Sequence, residues 1–251
     1  KEVVGTAVLS YAGDVPNVLE GQVWYNSTAK NFRYLFNSSG AWATGGNLNT
    51  ARYSTGRAGT QTAALAIGGS DPSATAITES YNGSSWTEVN DLNTARSQMG
   101  SSGTNTAALG FGGSPVQATT EAYNGTNWTE LNDLNTARRT LAGCGTQTAA
   151  LGFGGLTPTV TAITELWNGT NWTEVNNLNA GRSDLGGLGT STAALATAGQ
   201  APSFVKSNEL WNGTNWTEVN DLNSNRRAFG SAGTTAAGLV FGGYNTATPG
   251  P

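Results

Sequence analysis

The sequence predicts an all-β protein, a five-bladed β-propeller whose blades are four-stranded antiparallel sheets, and three observations carry that expectation. A tryptophan recurs at Trp42, Trp86, Trp128, Trp172 and Trp216, at spacings of 44, 42, 44 and 44 residues. Each is followed six positions later by a leucine and then an asparagine, and ten positions later by an arginine: Arg52, Arg96, Arg138, Arg182 and Arg226. Between these landmarks every repeat holds short apolar or alternating runs punctuated by glycine and turn residues, and no stretch shows helical periodicity. Repeats of this length are single supersecondary units that bury their apolar faces only against their neighbours. Four-stranded sheets repeated radially make a propeller.

Residues 138–179, RRTLAGCGTQTAALGFGGLTPTVTAITELWNGTNWTEVNNLN, show the four strands in order. TLAGCGT is a run of small residues suited to a crowded inner strand. TAALGFGG is apolar and ends in a glycine doublet, where a close turn demands backbone angles that other residues resist. TAITELWNG alternates apolar and polar residues, the mark of a half-buried strand. Asn168-Gly169 is a short-range hairpin signal, and NWTEVNNLN makes the returning strand. Cys144, the single cysteine, falls where the other repeats carry Ala58, Ser102, Leu188 and Ala232. It is therefore expected in the core and not as a nucleophile, and it excludes an internal disulfide. The Asn-x-Ser/Thr matches that recur in NGTNWT are read as turn chemistry.

The fifth repeat stops short. After LVFGG, residues 239–243, only YNTATPGP remains, so its two outer strands have no C-terminal source. The segment NFRYLFNSSGAWATGGNLN, residues 31–49, offers two such strands, with Leu35 and Phe36 where Leu210 and Trp211 fall in the fourth repeat. The ring is expected to close with these N-terminal strands completing the last blade, which would remove exposed edges. Residues 1–29 then stand as a lead and 30–251 as the propeller. Within the lead, EGQVWYNSTAKNFRYLF is expected to fold as a hairpin around a polar turn at Ser27 to Asn31. The opening KEVVGTAVLSYAG is too mixed and short for a signal peptide, so the chain is read as a piece of something longer.

The order of landmarks resembles the kelch repeat: a glycine doublet after an apolar strand, an aromatic (Tyr81, Tyr123, Trp167, Trp211), a Trp five residues on, then Leu and Arg. The likeness covers residues 30 to 243. It departs in a repeat shorter than the usual length of about 50 residues and in a fourth doublet that reads Ala198-Gly199. It implies a propeller that binds or scaffolds, as many kelch propellers do. In the lead, GQVWYNSTAKNFRYLFNSSGAW is similar to short modules of bacteriophage tail-fibre and structural proteins, which implies a place on a virion.

Composition narrows the chemistry. A net charge of −4 and a pI near 4.8 speak against nucleic acid as a partner. No run of 18 apolar residues could form a membrane-spanning helix. Without histidine there is no His general base, His-paired nucleophile or His metal site. Eight of the sixteen acids recur at two repeat positions, Glu79, Glu121, Glu165, Glu209 and Glu88, Glu130, Glu174, Glu218, and are read as serving the blade. No catalytic residue, metal ligand or cofactor is therefore expected.

The arginine series is the most suggestive feature. Each of Arg52, Arg96, Arg138, Arg182 and Arg226 opens an innermost strand, so five guanidinium groups would ring the channel mouth as a site for an anion or acidic sugar. The alternative is that each pairs with a Glu or Asp of its own or the adjacent blade, which the acid-rich repeat favours. Loops between the second and third strands vary (SDPSATAI, SPVQATT, LTPTVTAI, QAPSFVKS), and so does the inner strand, at Arg57, Met99, Arg139, Asp184, Leu188 and Arg227. Variation on a repeat scaffold tends to gather on the binding face. The expectation is a non-enzymatic module, virion-borne or extracellular and monomeric as an isolated domain. It would contact a cell-surface glycan or host receptor, with virion proteins as further partners. The alternative is a protein-interaction scaffold with no small ligand, its repeats recently amplified or engineered.

Overall fold

The computed structural model describes residues 10–11, 23–26, 28, 30–34 and 43–245. The chain forms two compact units, residues 1–44 and 45–251. In the first, β1 (Ser10–Tyr11) lies parallel to β2 (Val23–Asn26), which pairs antiparallel with β3 (Asn31–Tyr34) from Val23↔Tyr34 to Asn26↔Asn31. The β2–β3 pair is the hairpin the lead predicts.

The second unit is a β-propeller. Its first blade is β4 (Gly56–Thr60), β5 (Ala63–Ile67), β6 (Thr78–Tyr81) and β7 (Trp86–Val89), hydrogen-bonded in chain order. The second is β8 (Gly100–Gly103), β9 (Ala108–Phe111), β10 (Thr120–Tyr123) and β11 (Trp128–Glu130). The third is β12 (Ala142–Gly145), β13 (Ala150–Phe153), β16 (Thr164–Trp167) and β17 (Trp172–Val175), with a small hairpin, β14 (Leu156–Thr157) and β15 (Thr159–Val160), between its middle strands. The fourth is β18 (Gly186–Gly189), β19 (Ala194–Ala201), β20 (Ser203–Trp211) and β21 (Trp216–Val219). All pairings within the blades are antiparallel.

The propeller has four blades, not five. Among the described residues the fifth repeat contributes only β22 (Gly230–Gly233) and β23 (Gly238–Phe241), a two-stranded sheet to which no further described strand pairs. The physical reason lies in β3, whose ladder goes to β2 across a turn of a few residues. Closing so short a loop costs less chain entropy than recruiting a strand from the far end of the chain. Leu35, Phe36 and Trp42, on which the expected closure also drew, lie outside the described residues. No helix among the described residues is long and apolar enough to cross a membrane.

Sheets stack through aromatics. Trp172 meets Phe111 of the preceding blade with ring centroids 4.8 Å apart, and Trp216 meets Phe153 at 5.0 Å. The indole N–H groups of Trp172 and Trp216 donate across the same gaps to Thr120 and Thr164 hydroxyls, at 3.0 and 3.1 Å. Each Trp thus buries its ring and satisfies its one donor in the neighbouring sheet. The repeated Asn-Gly is a turn device, as the sequence implies. The side-chain oxygens of Asn82, Asn124, Asn168 and Asn212 each accept two backbone N–H groups within their own turns.

The glycine doublet has a specific cause. At Gly112 and Gly154, with φ of +63° and +66°, a Cβ would stand 2.5 Å from the carbonyl oxygen of the next repeat's arginine, Arg138 or Arg182. The second glycine of each doublet, Gly69, Gly113, Gly155 or Gly199, donates its N–H to that same carbonyl. The doublet is where one blade's backbone meets the next.

Candidate functional site

Four of the five arginines predicted to ring the mouth lie one to a blade, with their side chains buried inside it. Arg52, Arg96, Arg138 and Arg182 have side chains 0–1% exposed. Each pairs with the glutamate of its own blade: Arg52 with Glu79, Arg96 with Glu121 at 3.1 Å, Arg138 with Glu165 at 2.9 Å, and Arg182 with Glu209 at 2.9 Å. Terminal N–H groups also reach backbone carbonyls, those of Arg138 at Gly152, Gly154 and Ile163, while the buried Nε of Arg96, Arg138 and Arg182 has no hydrogen-bond partner among the described residues. Desolvation lowers the pKa of Arg96, Arg138 and Arg182, partly offset by the paired glutamate. Arg226, whose repeat has no third strand among the described residues, instead donates to the Gly242 carbonyl and the Ser224 hydroxyl.

The glutamates complete the brace. One oxygen of Glu79, Glu121, Glu165 or Glu209 takes both the backbone and side-chain N–H of the asparagine that follows the repeat leucine: Asn49, Asn93, Asn135 or Asn179. Charged hydrogen bonds of this kind are the strong ones. Leu-Asn-x-x-Arg is therefore one mechanical unit that locks the connection between blades. The pairing alternative, not the ligand site, describes these side chains.

What faces solvent at that end of the propeller is the next shell of residues. The strand-opening connections and the loops after the doublets share a face, joined by five equivalent backbone bridges: Tyr53↔Ser70, Ser97↔Ser114, Arg139↔Leu156, Ser183↔Gln200 and Arg227↔Tyr244. The bridge is the same in every repeat; the side chains it presents are not. Tyr53 and Tyr244 are 63% and 52% exposed. Arg227 donates to Gln200 Oε1 at 2.7 Å, lies 3.6 Å from Asp184, and sits over the rings of Phe204 and Tyr244 at 4.8 and 5.8 Å. Arg139 donates to Gln98 Oε1 at 3.2 Å.

Next along the chain, Ser54, Gln98, Thr140, Asp184 and Ala228 form a collar, all with φ between 49° and 55°. The N–H of each later member donates to the carbonyl of the one before: Gln98 to Ser54, Thr140 to Gln98, Asp184 to Thr140 and Ala228 to Asp184. Burial raises the Asp184 carboxyl pKa, against the pull of Arg227 and Arg139. Below the collar the inner strands β4, β8, β12, β18 and β22 surround a channel of about 770 Å³.

The variable positions Arg139, Asp184 and Arg227 were legible as singular residues on the inner strand. Met99 and Leu188, singled out with them, are buried core residues. Tyr53 and Tyr244 escape a sequence reading because they sit at repeat positions that carry no landmark. The signal was available: they are the aromatic members of the positions after each arginine and after each doublet. Comparison with protein-family models and with curated proteins finds no match to this chain. The repeated four-stranded blades are consistent with a kelch-type repeat fold.

Proposed function

We propose that this protein is a non-catalytic recognition module whose rim, the face carrying the five bridges, binds a glycan with an acidic component on a cell surface. One observation carries the reading: the same backbone bridge recurs five times and presents different side chains each time, while the repeated residues are consumed inside the blades. Exposed tyrosines beside half-buried glutamines and arginines supply what sugars need, flat aromatic faces with directed hydrogen-bonding groups. The absence of histidine from the sequence and the pairing of the inner glutamates with arginine support a binding role over catalysis. A virion or other extracellular setting draws its support from the tail-fibre-like lead alone.

A protein partner is the second reading, favoured by the exposed Tyr53, Val116 and Tyr244. An array of neutral and acidic glycans at two salt concentrations separates the two. Salt-sensitive capture of acidic glycans, weakened at least tenfold by Arg139→Gln with Arg227→Gln, supports the glycan reading. A blank array, with a protein captured from host extract and lost on the same double change, transfers the rim to a protein partner. Glycan binding indifferent to the double change overturns the rim as the contact surface.

A further inference from the structure

Inside the channel one side chain breaks the repeat. At the second position of the inner strand the other repeats carry Ser101, Gly143, Gly187 and Ser231; the first carries Arg57. The fold does not ask for an arginine there. In the neighbouring repeats the space is nearly closed: a Cβ on Gly143 would meet the Ser101 backbone at 2.8 Å, and one on Gly187 the Gly143 carbonyl at 3.0 Å.

Arg57 is held in position. Ser101 Oγ accepts the Arg57 N–H at 2.9 Å and donates to the Arg57 carbonyl at 2.8 Å, fixing its backbone to the second blade. Its Nη2 crosses to the fifth sheet and donates to Ser231 Oγ at 2.9 Å, and Ser231 Oγ in turn donates to the Gly187 carbonyl. Its Nε and Nη1 donate to no protein acceptor among the described residues, and no carboxylate there forms an ion pair with it. The residue is open to the channel yet hemmed in by inner strands, and this partial desolvation lowers its pKa. The other charged residue lining the channel, Asp184, is engaged with Arg227 at the mouth.

We propose that Arg57 is the anion-binding residue of the channel, taking the carboxylate of an acidic sugar on the free edge of its guanidinium fork. Nη2 spends one of its two N–H groups on Ser231, and its other stands parallel to an N–H of Nε or of Nη1, an edge of two free donors that matches a carboxylate bidentately. A guanidinium partly desolvated by the surrounding strands and without a counter-ion binds an anion more strongly than a fully solvated surface arginine does. The channel volume, about 770 Å³, falls in the range of about 300–1,000 Å³ usual for small-molecule sites. This rests on the reading of the rim as a glycan surface and names the part of the ligand that passes beyond it.

The test is calorimetric titration of the whole chain with sodium glucuronate, with glucose as the neutral counterpart. Wild type is expected to bind glucuronate saturably, more weakly at high salt, and not to bind glucose. Arg57→Ser installs the residue that Ser101 and Ser231 carry at equivalent positions, so the fold is kept, as near-UV circular dichroism would confirm; it is expected to weaken glucuronate at least tenfold. Arg57→Lys keeps the charge without the fork and is expected to fall between the two. Unchanged affinity in Arg57→Ser, or no saturable binding by wild type up to tens of millimolar, overturns the proposal. Glycan capture that depends on Arg139 and Arg227 while glucuronate ignores Arg57 would overturn the channel site and leave the rim. Glucuronate binding lost in Arg57→Ser, with array binding indifferent to the rim changes, would support the channel site and overturn the rim.

Discussion

Glu79 sits wholly out of water opposite Arg52, so its proton is coupled to the fold. Burial by itself raises a carboxyl pKa, but here the Asn49 N–H, the Arg52 guanidinium and the Thr50 N–H more than offset it. The net result is a carboxyl below its ordinary value of 4.5. A depressed folded-state pKa means the unfolded chain takes up the proton first on acidification. The stabilisation is therefore complete above the ordinary value and is lost as pH falls below it toward the folded one. Glu79→Gln should lower stability at pH 7 by on the order of 3 kcal/mol, because it leaves a buried guanidinium without its counter-charge. It should also flatten the acid limb of a stability–pH curve from urea unfolding; parallel limbs for the two proteins would refute the coupling. At this scale the sequence was only half legible. It showed arginine and glutamate recurring in step, and both a ligand ring and a salt bridge fit that pattern. The deciding fact is that the guanidinium points between strands and not into the channel, which no spacing reveals. The asparagine after each leucine was the available clue, since a residue that recurs with the pair and has no core role must be bonding to it.

Among elements, the link from the second to the third strand differs most in the fourth blade. There β19 runs on to Ala201 and pairs with the start of β20, so the loop becomes a hairpin that carries Gln200 and Phe204 to Arg227. The register slips between Thr197 and Gly199, and the intervening Ala198 stands at φ 47° where the first three blades have glycine. The left-handed region costs an L-residue roughly 1–2 kcal/mol, most of which glycine avoids, against an entropy cost to glycine of about 0.5–1 kcal/mol. Ala198→Gly should therefore gain at most about 1 kcal/mol in urea unfolding. Gly154→Ala should lose about 2 kcal/mol or more, since its Cβ also collides with the Arg182 carbonyl. Equal losses from both would mean that Ala198 is not strained. The repeat, its four strands, the Asn-Gly turns and the doublet were all readable, because each is a local demand on backbone geometry. The fifth blade was not. Composition offers strand-like residues in 31–34, but whether they pair next door or across the molecule is a competition between local and distant closure, and the local hairpin wins.

Across the whole propeller, stability is shared between neighbours: each inner strand is tied to the next through the collar, and each aromatic layer spans two blades. Sums of nearest-neighbour terms govern such repeats, and an open array can fray from its ends. Cys144 reports on the middle of this one. It lies buried on β12, flanked by β8 and β18, and its thiol donates to the Thr190 carbonyl of the fourth blade at 3.5 Å, the contact that Ser102 makes to Thr146. Burial pushes the thiol pKa up to about 12, so in the folded protein at neutral pH it is neither ionised nor reachable. Reaction with an aromatic disulfide reagent must therefore wait for β12 to separate from its neighbours. If the blades open together, the free energy from labelling will match that from urea unfolding to within about 1 kcal/mol and carry the same urea dependence. If the third and fourth blades part while the others hold, labelling will give a smaller free energy with a shallower urea dependence. The collar argues for the first result. Parting β12 from β18 breaks the Asp184–Thr140 link, and the blades on either side of the break lose the aromatic layer between Phe153 and Trp216 in the same event.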